Sequence, residues 1–104
     1  MNNLGYSAIL VHPGEVIKEE LQARNLTQKH FAQVTGIPYT FLNDVLNTRR
    51  SVSTDFALVI EAAIGINAEM LVNMQTRYNM QIARKDTAKT TRLNELRNIC
   101  ASLL

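Results

Sequence analysis

The sequence predicts an all-helical fold built around a helix-turn-helix, and three observations lead to that prediction. Apolar residues recur at steps of three and four along most of the chain, which is the period of an amphipathic helix. Residue types that cap helices stand before these stretches. Two of the stretches are short and lie close together, with Gly36 between them. The 104 residues are enough for one domain and too few for two ordinary ones.

The first helix is predicted to begin near Glu15. A His-Pro-Gly sequence occupies positions 12–14, and proline is tolerated in the first turn of a helix. Asn25 is expected to end this helix in a left-handed conformation. The predicted buried positions are Val16, Ile17 and Leu21. Residues 6–11 form a short apolar run, and the sequence leaves open whether that run is a strand or an arm.

The helix-turn-helix is predicted to follow directly. Thr27 is a good N-cap for a short helix over residues 28–35, and residues 39–47 form the next helical stretch. Two helices joined so tightly must cross steeply. The crossing needs a small residue where the backbones approach and an unrestricted residue at the corner, and Ala32 and Gly36 supply them. The expected buried side chains are Phe31, Ala32, Leu42, Val45 and Leu46.

Three further segments complete the helical pattern. Ser53 caps a helix over residues 54–64 that is apolar on nearly every side, so we expect it to be buried all round. Asn67 caps the next helix, whose apolar positions are Met70, Leu71, Met74, Tyr78 and Ile82. Methionines 70, 74 and 80 are interpreted as core or dimer packing. Residues 85–91 are polar and are expected to form a linker or frayed turn. The final amphipathic stripe consists of Leu93, Leu96, Cys100, Leu103 and Leu104.

The charge of +2 is distributed unevenly along the chain. Residues 13–80 carry six basic and seven acidic side chains, for a net charge of −1. Residues 81–104 carry five basic and two acidic side chains, for a net charge of +3. A slightly acidic core counts against strong non-specific binding to nucleic acid. It allows a specific site built from a few basic side chains and several neutral donors.

Several classes of protein are excluded or disfavoured by composition. No apolar run approaches the roughly 20 residues that cross a bilayer, so we expect no membrane partner. The start of the chain lacks the pattern of a signal peptide, and the lone Cys100 fits a reducing compartment. His12 and His30 fall in different elements, and neither zinc-ligand spacing nor a glycine-rich phosphate loop occurs. We therefore expect no enzyme activity, no metal and no cofactor, and we interpret His12 as a surface or turn residue.

The helix-turn-helix geometry itself suggests a binding chemistry. Such a motif places its second helix in the major groove of DNA while its first helix lies across the backbone. Gln28 then becomes a candidate phosphate donor, and Arg49 and Arg50 become charge partners of the backbone. Outward residues early in the second helix face base edges. The full set of candidate DNA-binding residues is Gln28, Lys29, Pro38, Tyr39, Thr40, Asn43, Asp44, Asn47, Arg49 and Arg50.

Specific motifs support this reading over roughly residues 11–86. A His-Pro-Gly-Glu-Val-Ile-Lys-Glu-Glu-Leu string occupies positions 12–21, with Leu-Thr-Gln-Lys at 26–29 and Thr-Gly-Ile at 35–37. Asp-Val-Leu-Asn follows at 44–47, and an Asn-x-Gln-x-x-Tyr motif ends at Tyr78. In this combination the chain resembles the HigA-type antitoxins. The resemblance implies a five-helix lambda-repressor-like fold and a bacterial, cytoplasmic, nucleoid-associated repressor. It further implies a homodimer on the double-stranded operator of its own operon and a ribonuclease toxin as partner.

The chain departs from the family pattern at several positions. Pro38 stands where members commonly have serine or threonine, so it supplies no hydroxyl to cap a helix or touch phosphate. Tyr39 and Thr40 replace a polar pair, and Thr48 replaces a glycine. Leu71 stands where many members have tryptophan. The operator sequence therefore does not follow from the resemblance.

Two other functions fit the same sequence. The chain could be a phage-like or stand-alone regulator without a toxin, which gene order would distinguish. It could also be a protein-interaction module whose basic, amphipathic tail from residue 81 grips a partner. The predicted organisation is an N-terminal arm over residues 1–11, a helix-turn-helix domain over 12–82, and a linker with a C-terminal helix over 83–104.

Overall fold

The computed structural model describes residues 10–103, which contain six α-helices and no strand. The helices are α1 (Pro13–Ala23), α2 (Gln28–Thr35), α3 (Tyr39–Leu46), α4 (Thr54–Ile64), α5 (Ala68–Lys85) and α6 (Thr87–Leu103). The fold is therefore all-helical, with a helix-turn-helix formed by α2 and α3. Most of the predicted arm, and Leu104, lie outside the described residues.

Helices α1 to α5 enclose one core. Helix α3 packs on α1 and α2, while α5 packs on α1 and α4. The most deeply buried side chains are Ile17, Leu42, Val45, Ala57, Ile60 and Leu71, all with no exposed surface. Because α3 has neighbours on one side only, the core fixes its axis and leaves its opposite face in solvent.

Side-chain caps set three of the helix starts where the sequence predicts them. The Thr27 hydroxyl accepts a hydrogen bond from the backbone N–H of His30 at 3.1 Å. The Ser53 hydroxyl likewise accepts from Phe56 at 3.1 Å, and the Asn67 amide oxygen accepts from Met70 at 2.8 Å. Each bond satisfies an N–H group that the helix itself leaves without a partner.

The prediction that α4 is buried all round is wrong. Its inner face is buried, but Leu58 is 51% exposed, and Val59, Ala62 and Ala63 are exposed beside it. Helix α4 packs mainly on α5, with Phe56 against Phe41 of α3, so a helix apolar on nearly every side keeps one apolar face in solvent. The three methionines do not belong to the core, since Met70 and Met80 are exposed and Met74 is only half-buried. The other interpretation, packing in a dimer, stays a prediction.

The linker predicted over residues 85–91 is wrong as well. Helix α5 continues to Lys85, and α6 begins at Thr87, so Asp86 alone separates them. Asp86 acts as a cap, because its carboxylate accepts from the backbone N–H of Lys89 at 3.2 Å. The Thr90 hydroxyl donates to the Asp86 carbonyl oxygen at 3.0 Å. The segment was predicted to be irregular because it is polar, but a helix that is exposed on all sides needs no apolar positions.

Helix α6 stands apart from the core. It buries none of its side chains and contacts only α5 among the helix pairs with substantial contact. Its exposed apolar side chains are Leu93, Leu96, Ile99 and Leu103. Within residues 10–103, no helix combines the length and apolar character needed to span a bilayer.

Candidate nucleic-acid interface

The corner between α2 and α3 is built as the sequence predicts. Gly36 adopts a left-handed conformation with φ of 79°, and its N–H donates to the Ala32 carbonyl oxygen at 2.9 Å. A side chain is disfavoured at this φ, which is why glycine serves here. Ala32 is buried under the crossing. The corner turns the chain so that α3 presents its first turn away from the core.

The first turn of α3 is open to solvent. Pro38, Tyr39 and Thr40 are exposed, and Pro38 gives α3 no side-chain cap, as its missing hydroxyl predicts. Tyr39 and Lys29 line the same shallow cavity between α2 and α3. The side chains expected to reach base edges are therefore accessible, and a basic side chain lies beside them.

A chain of hydrogen bonds continues across α3. The Asn43 amide nitrogen donates to the Gln28 amide oxygen at 2.9 Å, which ties α3 to the start of α2. The Asn43 oxygen accepts from the Arg49 guanidinium at 3.0 Å. Gln28, Asn43 and Arg49 thus form one polar strip on the surface. Both ends of the Asn43 amide are already engaged, so it orients its neighbours in this state of the protein.

Asp44 lies at the centre of the basic part of the strip. One of its carboxylate oxygens is 3.3 Å from Arg49 Nε, and the other is 3.9 Å from an Arg50 terminal nitrogen. The Arg50 guanidinium also lies over the Phe41 ring, 4.4 Å from its centroid. The two arginines are therefore fixed beside the end of α3 by a carboxylate and an aromatic face.

Asn47 occupies the edge of this surface and faces α1. Its amide oxygen accepts from Lys18 Nζ at 3.3 Å, and its amide nitrogen donates to the Asn43 carbonyl oxygen at 2.9 Å. The structure thus joins five of the ten candidates by direct contacts between side chains: Gln28, Asn43, Asp44, Arg49 and Arg50. Lys29 and Tyr39 share a cavity, Pro38 and Thr40 are exposed on either side of Tyr39, and Asn47 lies at the junction with α1. Their contacts with DNA remain a prediction.

The interpretation of His12 as a surface or turn residue is wrong. The side chain is buried, and its Nδ1 accepts from the Gly14 backbone N–H at 2.9 Å, capping α1. The ring also hydrogen-bonds the backbone of Arg50 and meets Tyr78 edge-on. Burial lowers the pKa of His12, with Glu15 and the Arg50 backbone opposing that shift. His12 therefore connects α1 and α5 to the segment that carries the arginines.

A second buried polar side chain holds the same segment. The Gln75 amide oxygen accepts from the Val52 backbone N–H at 2.8 Å, and its nitrogen donates to Asn79 at 2.9 Å. Helical periodicity alone does not predict these roles, although Gln75 and Tyr78 stand in the spaced motif of α5. The motif residues thus position the loop after α3 from inside the domain, and the candidate DNA-binding surface depends on them without containing them.

Comparison with known proteins agrees with this geometry. A family model described as helix-turn-helix matches residues 17–71. The chain is 30% identical over 77 residues to virulence-associated protein I of Dichelobacter nodosus, covering 73% of this chain and 71% of that protein.

Two solved structures share the fold. One is an addiction module antidote protein of the HigA family from Coxiella burnetii, with a TM-score of 0.70 and 30% identity, covering 80% of this chain and 91% of that one. The other is a Pseudomonas aeruginosa protein in complex with its operator DNA, with a TM-score of 0.72. It is 22% identical and covers 83% of this chain and 92% of the other, so it supports the fold alone.

Proposed function

Because this chain belongs to the helix-turn-helix family and has structural neighbours among the HigA antidote proteins, we propose that it is a sequence-specific repressor and antitoxin. In this role it represses its own operon on the bacterial nucleoid and neutralises a toxin, which we expect to be a ribonuclease. The observation that carries the proposal is the exposed first turn of α3, bordered by Lys29, Arg49 and Arg50. The operator complex of the Pseudomonas aeruginosa neighbour gives a precedent for this fold on DNA.

The proposed binding mode follows from the strip. Helix α3 enters the major groove with Tyr39 and Thr40 directed at base edges. Gln28 and Lys29 contact phosphates on one side, and Arg49 and Arg50 contact them on the other. Pro38 starts the helix without competing for its free N–H groups, which remain available at the positive end of the helix dipole. Because this site has several neutral donors and few cations, its affinity for DNA depends more on hydrogen bonds to a matching sequence than on total charge.

We expect a homodimer, with the exposed face of α4 as its self-contact. That face contains Leu58, Val59, Ala62 and Ala63, with the exposed Asp55 one turn before Leu58 at its edge, while Glu61 accepts from the Ala68 N–H at 2.9 Å. A two-fold interface must be complementary to itself, and an apolar patch with a charge only at its edge meets that condition. Two copies would then present their α3 helices about 34 Å apart, one turn of DNA.

Helix α6 supports a second role, the binding of a protein partner. Its apolar side chains Leu93, Leu96 and Ile99 are exposed, and Arg92 and Arg97 lie along the same helix. In a parallel self-pairing through Leu93, Leu96 and Leu103, the flanking arginines would face each other, which disfavours a second copy. A partner with an apolar groove and acidic rim fits better, and we propose that the toxin supplies it.

The proposed function is tested by gel shift with the DNA upstream of the chain's own gene, with and without the product of the neighbouring gene. We expect a salt-sensitive shift on this DNA and a much weaker one on random DNA of equal length. A chain ending at Asp86 should still bind the upstream DNA but should no longer bind the protein encoded by the neighbouring gene. Equal affinity for both DNAs would contradict a specific repressor, and an adjacent gene unrelated to any toxin would favour a stand-alone regulator.

A further inference from the structure

An acidic side chain on a proposed DNA-binding strip needs an explanation. Asp44 lies between two arginines, and its carboxylate repels phosphate where the arginines attract it. Its side chain is 37% exposed, so it is accessible to a ligand as well as to its neighbours. Nothing in the core requires it, because the apolar face of α3 is formed by Leu42, Val45 and Leu46.

The geometry resembles that of a bound anion. Arg49 and Arg50 approach the two oxygens of Asp44 separately, so each cation has its own acceptor. The Arg49 backbone N–H also donates to the Asp44 carbonyl oxygen at 2.8 Å, which fixes the turn that brings the two residues together. A DNA phosphate offers the same pair of oxygens to the same guanidinium groups. Carboxylate and phosphate therefore compete for one pair of cations.

We propose that Asp44 stands in for a DNA phosphate in the free protein and so limits its affinity for any duplex. It holds Arg49 and Arg50 close to the positions they need and cancels part of their charge. Binding DNA exchanges the carboxylate for phosphate. Any duplex must displace it, but only a fitting site repays the exchange through the additional contacts of α3. This inference rests on the proposed DNA binding and deepens it.

The size of the effect follows from exposure. The Arg49 and Arg50 side chains are 60% and 49% exposed, so each ion pair is screened and contributes only a small factor to an equilibrium constant. We expect about 1.5- to threefold for each pair. Loss of both pairs should therefore raise affinity for unrelated DNA by about two- to tenfold. Because every duplex must displace the carboxylate, the ratio of cognate to random affinity should change little.

The test compares Asp44→Asn with Glu69→Gln, which makes the same change in net charge on exposed α5, away from the strip. Fluorescence anisotropy measures their affinities for a random duplex and for the chain's upstream DNA at several salt concentrations. Asp44→Asn should bind the random duplex about two- to tenfold more tightly than Glu69→Gln does. In an Arg49→Gln, Arg50→Gln background, Asp44→Asn should have little further effect, since its partners are gone.

Each outcome is decisive. Equal affinities of the two single variants for the random duplex would overturn the proposal, even where the upstream DNA is bound specifically. Weaker binding confined to sequences with cytosine at one position would also overturn it, because Asp44 would then be reading a base. If the wild-type chain shows no preference for its upstream DNA, the proposed function fails. The random-duplex comparison still decides the role of Asp44 as a competitor of phosphate.

Discussion

The imidazole of His12 lies edge-on to the ring of Tyr78, with ring centroids 5.0 Å apart and planes at 80°. His12 precedes α1, and Tyr78 lies on α5, so this contact closes the two ends of the five-helix domain against each other. The same histidine hydrogen-bonds the backbone of Arg50. One side chain thus joins the closure of the domain to the position of a candidate phosphate contact.

The buried His12 should make stability depend on pH. Burial lowers its folded-state pKa below the usual histidine value of 6.5, so the unfolded chain is protonated first as the pH falls. The contribution of His12 to the free energy of unfolding is complete above about pH 6.5. It declines as the pH falls through that value and stops changing below the folded-state pKa. Urea unfolding between pH 5.5 and 8 measures this loss.

His12→Asn is the control for that measurement. Asparagine retains an acceptor for the Gly14 N–H but does not titrate, and it loses the Tyr78 contact. We expect this variant to be less stable by about 1 kcal/mol at pH 8, with the difference shrinking toward pH 5.5. A constant difference across this range would contradict a role for His12 protonation.

Gly14 should tolerate a side chain far less well than Gly36. A Cβ at Gly14 would overlap the Val45 carbonyl oxygen, which is backbone at the end of α3 and cannot rotate away. Gly14→Ala is therefore expected to cost about 3 kcal/mol and to weaken DNA binding by shifting α3. Gly36→Ala meets open space and costs only the left-handed conformation, about 1 kcal/mol. Chemical denaturation compares them, and equal losses would contradict the close approach of α1 and α3.

Two classes of substitution should affect DNA binding differently. Arg49→Gln should weaken binding to all sequences and lower the salt slope by about 0.9 for the lost phosphate contact. Thr40→Ala should leave the salt slope unchanged and alter the preference among operator variants, with effects of about 1 to 3 kcal/mol at one base pair. Anisotropy titrations over a range of salt separate the two. The same uniform loss for both would argue against base reading by α3.

If the exposed face of α4 is the self-contact, a charged substitution on that face should weaken the dimer. Leu58→Glu should leave folding intact, because Leu58 is exposed, and should weaken self-association about tenfold or more, since two-fold symmetry places the charge twice. Leu96→Glu on α6 is the matched control and should leave the dimer unchanged. Sedimentation equilibrium measures both. Dissociation caused by Leu96→Glu instead would assign self-contact to α6.

Most of the domain was predictable because local signals and core packing agree. The caps at Thr27, Ser53 and Asn67 are confirmed, and they set the starts of α2, α4 and α5. The left-handed conformation of Gly36 is also confirmed, and it ends α2 before α3 begins. Each signal acts within a few residues of its effect. A single sequence therefore carries it without knowledge of the neighbours in space.

The errors arise where distant residues decide the structure. His12 looks like a turn residue until α5 brings Tyr78 against it, and the apolar outer face of α4 looks buried until the absence of a neighbour within residues 10–103 is seen. The polar segment around Asp86 is helical because propensity suffices on an exposed helix. The pairing of Asp44 with both arginines likewise depends on the turn after α3, which periodicity does not describe.

Helix α6 has a separate consequence for how this protein changes over time. Since no side chain of α6 is buried, the folding free energy of the first five helices is almost indifferent to which residues it contains. Under the proposed function, mutations in α6 are limited by its contacts with a protein partner, and mutations in α3 by its contacts with DNA. The two halves can thus diversify at different rates, and a lineage could exchange one specificity while inheriting the other intact.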